Sequence, residues 1–302
     1  MPVATPHPLG LSPIALGLWR AGRVQLPTAR LVELIATSLD AGVNTFDLAD
    51  IYGNYAGEQA FGAALAASKL PRSAVRLISK CGVCSVSEAR PAHRVKHYDN
   101  GGDHVRASVD ASLKTLGTDY LDLFLVHRPD FLLDADELAE ALRQVVQAGK
   151  VRHVGVSNFS PSQQRLLASR LHGLPGGLAA NQVELSVLHR APFTDGTLDL
   201  CQEQRCVPMA WSPLGGGFLF SGETDEAARV RTALAEVGEA LGGATADQVA
   251  LAWLMRHPSG ILPVLGTTDP ARVQSAAGAS ALQLDRQQWY QIWQAATGTT
   301  IP

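Results

Sequence analysis

Leu121-Asp-Leu-Phe-Leu-Val-His127 is a nearly continuous apolar run that ends on a histidine. Beyond a short connection, residues 134–148 carry helical spacing, with Asp134 placed as an N-cap and Gly149 as the stop. A second apolar run, residues 151–157, follows at once. Strand, helix, strand in this order predicts two parallel strands joined by a helical crossover.

The unit repeats in both directions. Upstream, strands are expected over 14–19, 44–48 and 75–80, alternating with helices over 27–41, 57–68 and 104–116. Downstream, strands are expected over 178–184, 207–212 and 261–266. Helices are expected from Ser160-Pro161-Ser162 onward and over 197–205, 245–256 and 269–277. Residues 215–220 read as a loop, 223–241 as an extra helix after the seventh strand, and 285–296 as a final helix. With no composition break, these units predict one α/β domain over residues 1–302. Its fold is a closed (β/α)8 TIM barrel with extra helices after strand 7 and at the C-terminus. An open doubly wound sheet is disfavoured because no GxGxxG opens the first helix. Residues 82–103, with Pro91, Asn100, Gly101 and Gly102, interrupt the rhythm. A loop of that length is functional or disordered.

Bulk composition narrows the function classes. The 302 residues are 46% hydrophobic and 18% charged, and 25 basic against 28 acidic residues give a net charge of -3. Nothing there draws the chain to nucleic acid or an anionic membrane. No apolar run approaches the roughly 18 residues of a membrane helix. The N-terminal eight residues lack a basic region and are broken by prolines, so no signal peptide is expected and the cytoplasm is the default location. Cys81, Cys84, Cys201 and Cys206 form no disulfide framework. Cys81-Gly-Val-Cys84 lacks a second ligand pair and reads as two free thiols. His93, His97 and His104 fit no ligand set, and with Arg90, Arg94 and Lys96 they read as a solvated loop, so no metal is expected.

In such a barrel the chemistry collects at the C-terminal ends of the strands. Trp19 and Arg20 end the first strand. Asp47, Asp50 and Tyr52 end the second, Lys80 the third, and His127 and Arg128 the fourth. Ser157 and Asn158, then Asn181, Gln182 and Glu184, then Trp211 and Ser212, and finally Thr267 and Thr268 end the rest. Strands 2 to 4 are neighbours, so Asp47, Lys80 and His127 should stand side by side with Tyr52 above them. An ammonium beside a phenol favours the phenolate and lowers the phenol's pKa from its usual value near 10. Asp47 would hold Lys80 charged, Tyr52 would act as general acid toward a developing alkoxide, and His127 would hydrogen-bond the same oxygen. Asp50 reads as a structural loop partner. No nucleophile motif competes, so the chemistry suggested is proton donation to a carbonyl oxygen, with a hydride from a bound cofactor. The stretches 212–217 and 266–272 offer glycine and a helix start to phosphate, Arg272 offers a fork, and Trp211 offers a flat face.

These residues resemble the aldo-keto reductase family over essentially the whole chain. Phe46-Asp-Leu-Ala-Asp-Ile-Tyr-Gly53, Asp119-Tyr-Leu-Asp-Leu-Phe-Leu-Val-His-Arg-Pro129 and Gly155-Val-Ser-Asn-Phe159 resemble three of its motifs, in order. The resemblance implies a catalytic tetrad of Asp47, Tyr52, Lys80 and His127, with Tyr52 as proton donor to an aldehyde or ketone. It also implies NADPH across the barrel mouth. Ser157, Asn158 and Gln182 would hold its carboxamide, and Trp211 would stack on the nicotinamide. Ser212, Leu214 and Gly215 would line the pyrophosphate, Thr267 would lie beside it, and Arg272 would meet the 2′-phosphate. Trp19 resembles a substrate-pocket residue. The chain departs from many members at Ala276, where they carry an adenine-contacting Asn. Two alternatives stay open: a cofactor-binding regulatory or redox-sensing barrel subunit with slow turnover, and a phosphate-sugar enzyme without nicotinamide.

Overall fold

Closure of the sheet rests on short apolar strands paired on both edges. In the computed structural model, which describes residues 9–301, the barrel strands are β1 (Ala15–Gly17), β2 (Thr45–Asp47), β3 (Arg76–Cys81) and β4 (Leu121–Val126), followed by β5 (Val151–Ser157), β6 (Leu178–Glu184), β7 (Val207–Trp211) and β8 (Leu262–Leu265). All neighbours are parallel and follow chain order, and β8 returns to β1, with Ala15 opposite Val264. The expected barrel is therefore the observed one. The N-terminal stretch read above as lacking a signal peptide lies outside the described residues. No helix among the described residues is long and apolar enough to cross a membrane.

One buried cluster joins Ala15, Ile78, Leu123, Leu125, Ala180, Met209 and Val264. Residues of opposite strands meet in this way only inside the barrel, so this cluster is its filling. Larger clusters lie between the strands and the outer helices. Both extra helices are present, Asp225–Ala240 after β7 and Arg286–Thr297 at the C-terminal end. The expected caps are formed. The Asp134 side chain accepts from the Asp136 and Glu137 amides, and Ser160 forms a capping box with Gln163.

Three details differ from the sequence reading. β1 stops at Gly17, and Trp19 opens a short helix, Trp19–Arg23. The turn is needed to bring Gly22 against Gly53, where a Cβ on Gly22 would lie 2.8 Å from the Gly53 nitrogen. Gly53 itself has φ +60, a conformation costly for other residues. Residues 82–103 are ordered by a small hairpin, Val83–Cys84 against His97–Tyr98. Residues 215–221, read in part as a loop, form a 3-10 turn at Gly215–Gly217 and a short helix, Phe218–Ser221.

The C-terminal helix is held by tryptophans. Trp253 and Trp289 stack with ring centroids 4.8 Å apart and planes 7° from parallel. Each indole N–H donates to the other residue's carbonyl, both at 3.0 Å. Trp293 stacks on Trp289 at 5.5 Å, and Phe193 packs edge-on at 5.3 Å from Trp293.

Candidate active site

Lys80 is the centre of the mouth. It is fully buried on β3, and its Nζ donates to Asp47 Oδ2 at 2.7 Å, to the Leu48 carbonyl at 2.7 Å and to Tyr52 Oη at 3.3 Å. The three donors of the ammonium are thus used, a requirement for a charge with no water around it. The other Asp47 oxygen, Oδ1, accepts from Gln182 Nε2 at 3.0 Å, across the barrel from β6. His127 completes the group. Its ring lies 5.9 Å from that of Tyr52, edge to face, and its Nδ1 is buried without a protein partner. Asp47, Tyr52, Lys80 and His127 therefore come together as expected.

The electrostatics correct one expectation. Burial pushes the Tyr52 phenol above its usual 10.0, and although Lys80 pulls it back, Asp47 adds to the rise and the net shift is upward. Lys80 does act to lower the phenol's pKa, but burial outweighs it, so the net lowering expected from the ammonium is not realised. For Lys80 burial acts downward, but Asp47 and Tyr52 outweigh it, and the ammonium is held more firmly than usual. Burial, helped by the charges of Lys80 and Arg128, holds His127 well below 6.5. At neutral pH the group is a neutral phenol, an ammonium and a neutral imidazole.

A second set lines the β5–β7 side. Ser157 Oγ donates to the Gln182 carbonyl at 2.8 Å and accepts from Asn158 Nδ2 at 2.7 Å. Asn158 Oδ1 accepts from Trp211 Nε1 at 2.9 Å, which fixes the edge of the half-buried indole. On the β7–β8 side, Ser212 has φ +51, Leu214 packs against both outer clusters, and Gly215 starts the glycine turn. Thr267 Oγ1 accepts from the Asp269 amide at 3.1 Å, and the Asp269 side chain caps the helix Pro270–Ala277. Arg272 is 77% exposed, with only a long contact to Asp269, 3.7 Å. Trp19 is 49% exposed on the rim, under the Arg23 guanidinium.

The profile of the Aldo/keto reductase family matches residues 13–296. The chain is 46% identical to the Bacillus subtilis "Uncharacterized oxidoreductase YcsN" over 97% of both chains. It is 42% identical to "6-dehydroglucose reductase" of Agrobacterium fabrum over 99% of both. This chain belongs to the aldo/keto reductase family. Among solved structures, an aldo-keto reductase from Klebsiella pneumoniae in complex with NADPH superposes with a TM-score of 0.76 at 27% identity, covering 93% of this chain and 90% of that one.

Several contacts at this family site are not legible in sequence. Arg20 reaches from the end of β1 past β8 to the turn after β7, where its Nη2 donates to the Gly216 carbonyl at 2.6 Å, with its Nε beside Gly266. It lies beside Trp19 in sequence, but its partner is 196 positions away. Asp50 is a loop partner through its backbone N–H, which donates to the Lys80 carbonyl at 3.0 Å, and through its carboxylate, which interacts with the Ile51 amide. Its side-chain Oδ1 finds no partner. Burial, then Glu58, pushes that carboxyl up to about 7. Cys81 and Cys84 are buried free thiols, and burial pushes Cys84 up to about 11. Such thiols are poor nucleophiles and metal ligands. His93 stacks edge-on with His97 at 5.4 Å, and His104 faces Asp99 at 3.6 Å. No group of three His, Cys, Asp or Glu among the described residues is placed to hold a metal ion.

Proposed function

We propose that this chain is an NADPH-dependent reductase that converts a small aldehyde or ketone to an alcohol, working as one barrel, with Tyr52 as the proton donor. The observation that carries this reading is the enclosed Lys80 ammonium shared between Asp47 at 2.7 Å and the Tyr52 hydroxyl at 3.3 Å. A phenol whose pKa lies above 10 still holds its proton at neutral pH, and an adjacent ammonium stabilises the phenolate left after transfer. A neutral His127 can donate a hydrogen bond to the same carbonyl oxygen without carrying a competing charge.

The residues present fit NADPH. Three successive glycines, Gly215 to Gly217, all take positive φ, and a Cβ on Gly217 would meet nothing within 4 Å. Backbone of this shape admits a phosphate closely, and the Arg20 and Arg272 guanidiniums supply charge nearby. Ser212, Leu214, Gly215 and Thr267 would line the pyrophosphate, and Arg272 would take the 2′-phosphate. Ser157, Asn158 and Gln182 would hold the carboxamide, Trp211 would lie against the nicotinamide ring, and Trp19 would wall the substrate. Once bound, the nicotinamide supplies the hydride. The Klebsiella relative crystallised with NADPH and the Agrobacterium reductase support both cofactor and reaction class.

Tyr52→Phe removes the proton and little else. Reduction of 4-nitrobenzaldehyde, followed by NADPH absorbance, should fall by about 10²- to 10⁴-fold while NADPH binding, followed by cofactor fluorescence, persists. Turnover that survived the change would remove Tyr52 as the acid. Failure to bind NADPH at all would sink the reading.

A further inference from the structure

Arg128 follows His127 at the mouth end of β4, and its backbone is firmly placed. Its carbonyl accepts from Asn100 Nδ2 at 2.9 Å. Asn100 is itself buried, with its Oδ1 where a Cβ on Gly82 would lie 2.2 Å away. The side chain is half-buried, and its guanidinium lies over the Trp211 ring, 5.9 Å from the centroid.

This guanidinium has no counter-charge. Among the described residues it forms no ion pair with any carboxylate. The nearest acid along the chain, Asp130, gives one oxygen to the Asn100 amide at 3.2 Å and the other to the Leu132 amide at 2.9 Å. At 5.9 Å the cation lies at the outer reach of the indole ring, and among the described residues its N–H donors make no hydrogen bond. A partly desolvated cation in that condition gains most from an anion that presents oxygens in its plane.

Its position says which anion. Arg128 follows His127 directly at the mouth end of β4, and its guanidinium lies over Trp211. The glycine turn after β7, Arg20 and Arg272 lie on the β7–β8 side, and β4 is opposite β8 in the barrel order. The guanidinium nonetheless reaches Trp211 at the end of β7, the residue set against the nicotinamide in the proposed function, and so serves the reacting end of the site.

We propose that Arg128 is the specificity-determining residue of this site and selects carbonyl substrates that carry a carboxylate, seated on the guanidinium while the carbonyl oxygen faces Tyr52. The proposal rests on the reductase reading. Neutral hydroxyls can accept from the same donors, but a carboxylate adds the attraction of opposite charges and can take two parallel N–H donors at once, which favours the anion.

The test compares 4-carboxybenzaldehyde with the similarly shaped neutral 4-nitrobenzaldehyde in the parent chain, Arg128→Gln and Arg128→Lys, with NADPH. The parent should prefer the carboxylate in kcat/KM. The ratio should fall about tenfold or more in Arg128→Gln, mainly through KM of the charged aldehyde, and be partly kept in Arg128→Lys. A ratio equal in the parent and Arg128→Gln overturns the proposal. So does an equal loss on both aldehydes accompanied by weaker NADPH binding, since the guanidinium then serves the cofactor. If neither aldehyde turns over in the parent, it is the reductase reading that fails. Titrating benzoate against tryptophan fluorescence then decides the role of Arg128. Binding by the parent that is lost in Arg128→Gln supports it, and equal or absent binding overturns it.

Discussion

Lys80 and Asp50 sit within one loop's breadth of each other and have opposite relations to burial. Lys80 has every donor used, so its charge is tolerated. Lys80→Met would leave Asp47 with Gln182 as its remaining side-chain partner, and breaking a buried pair from one side costs about 3–5 kcal/mol. Urea unfolding should show a loss of that order; a variant as stable as the parent would mean that Asp47 is not held as an enclosed charge. Asp50 is the reverse case, a carboxyl raised from 3.8 to about 7 by burial and then by Glu58. Between those two values the folded chain keeps a proton that the unfolded chain has already lost. Stability therefore falls as pH rises through this window, and the loss is complete above it. Asp50→Asn should be more stable than the parent at about pH 8 by on the order of 2 kcal/mol, with the gap narrowing toward about pH 4. A pH-independent gap would show that Asp50 does not titrate in the way its surroundings imply.

Strands and helices were largely readable because each declares itself locally. The apolar run 121–127 and the cap Asp134 depend on neighbours a few positions away, and the structure returns them as β4 and as the helix Ala135–Gln147. Asp47, Lys80 and His127 were readable for the same reason, since a strand's end in a barrel fixes which face its last residue serves. Long-range contacts were not readable. Gln182 was expected to hold a cofactor, yet its amide also steadies Asp47 from 135 positions away. The net pKa of Tyr52 depended on how completely the phenol is buried, which no spacing reports. Gly155 shows an element-scale constraint that only packing explains. The β5–β6 register shifts between Val154 and Val156, and a Cβ on Gly155 would stand 2.5 Å from the Ala180 carbonyl oxygen. Gly155→Ala must spread these two strands just below Ser157 and Gln182. Overpacking of this kind costs about 1–3 kcal/mol. Thermal unfolding should register it, and the apparent affinity for NADPH should weaken in parallel. An unchanged melting temperature would mean that the strands part freely at the bulge.

At the scale of the whole molecule, the barrel is closed by strands, and its C-terminal helix is fastened by tryptophans. Trp289→Ala would remove the stacking partner of Trp253 and the indole N–H that donates to the Trp253 carbonyl, while the backbone carbonyl at 289 stays available to the Trp253 indole. A large aromatic deletion of this type costs about 3 kcal/mol, readable by urea unfolding, and it lies outside the mouth. Activity per folded molecule should hardly change. The same stack has an optical consequence. Two indoles 4.8 Å apart and only 7° from parallel share their excited states, with a third, Trp293, 5.5 Å from Trp289. Such a pair imposes its own handed signature on the near-ultraviolet circular dichroism. Trp289→Phe should erase that signature even where the helix stays seated. The chain thus carries a built-in dye for its C-terminal end, one that reports whether that helix is docked while the catalytic face is titrated or mutated separately.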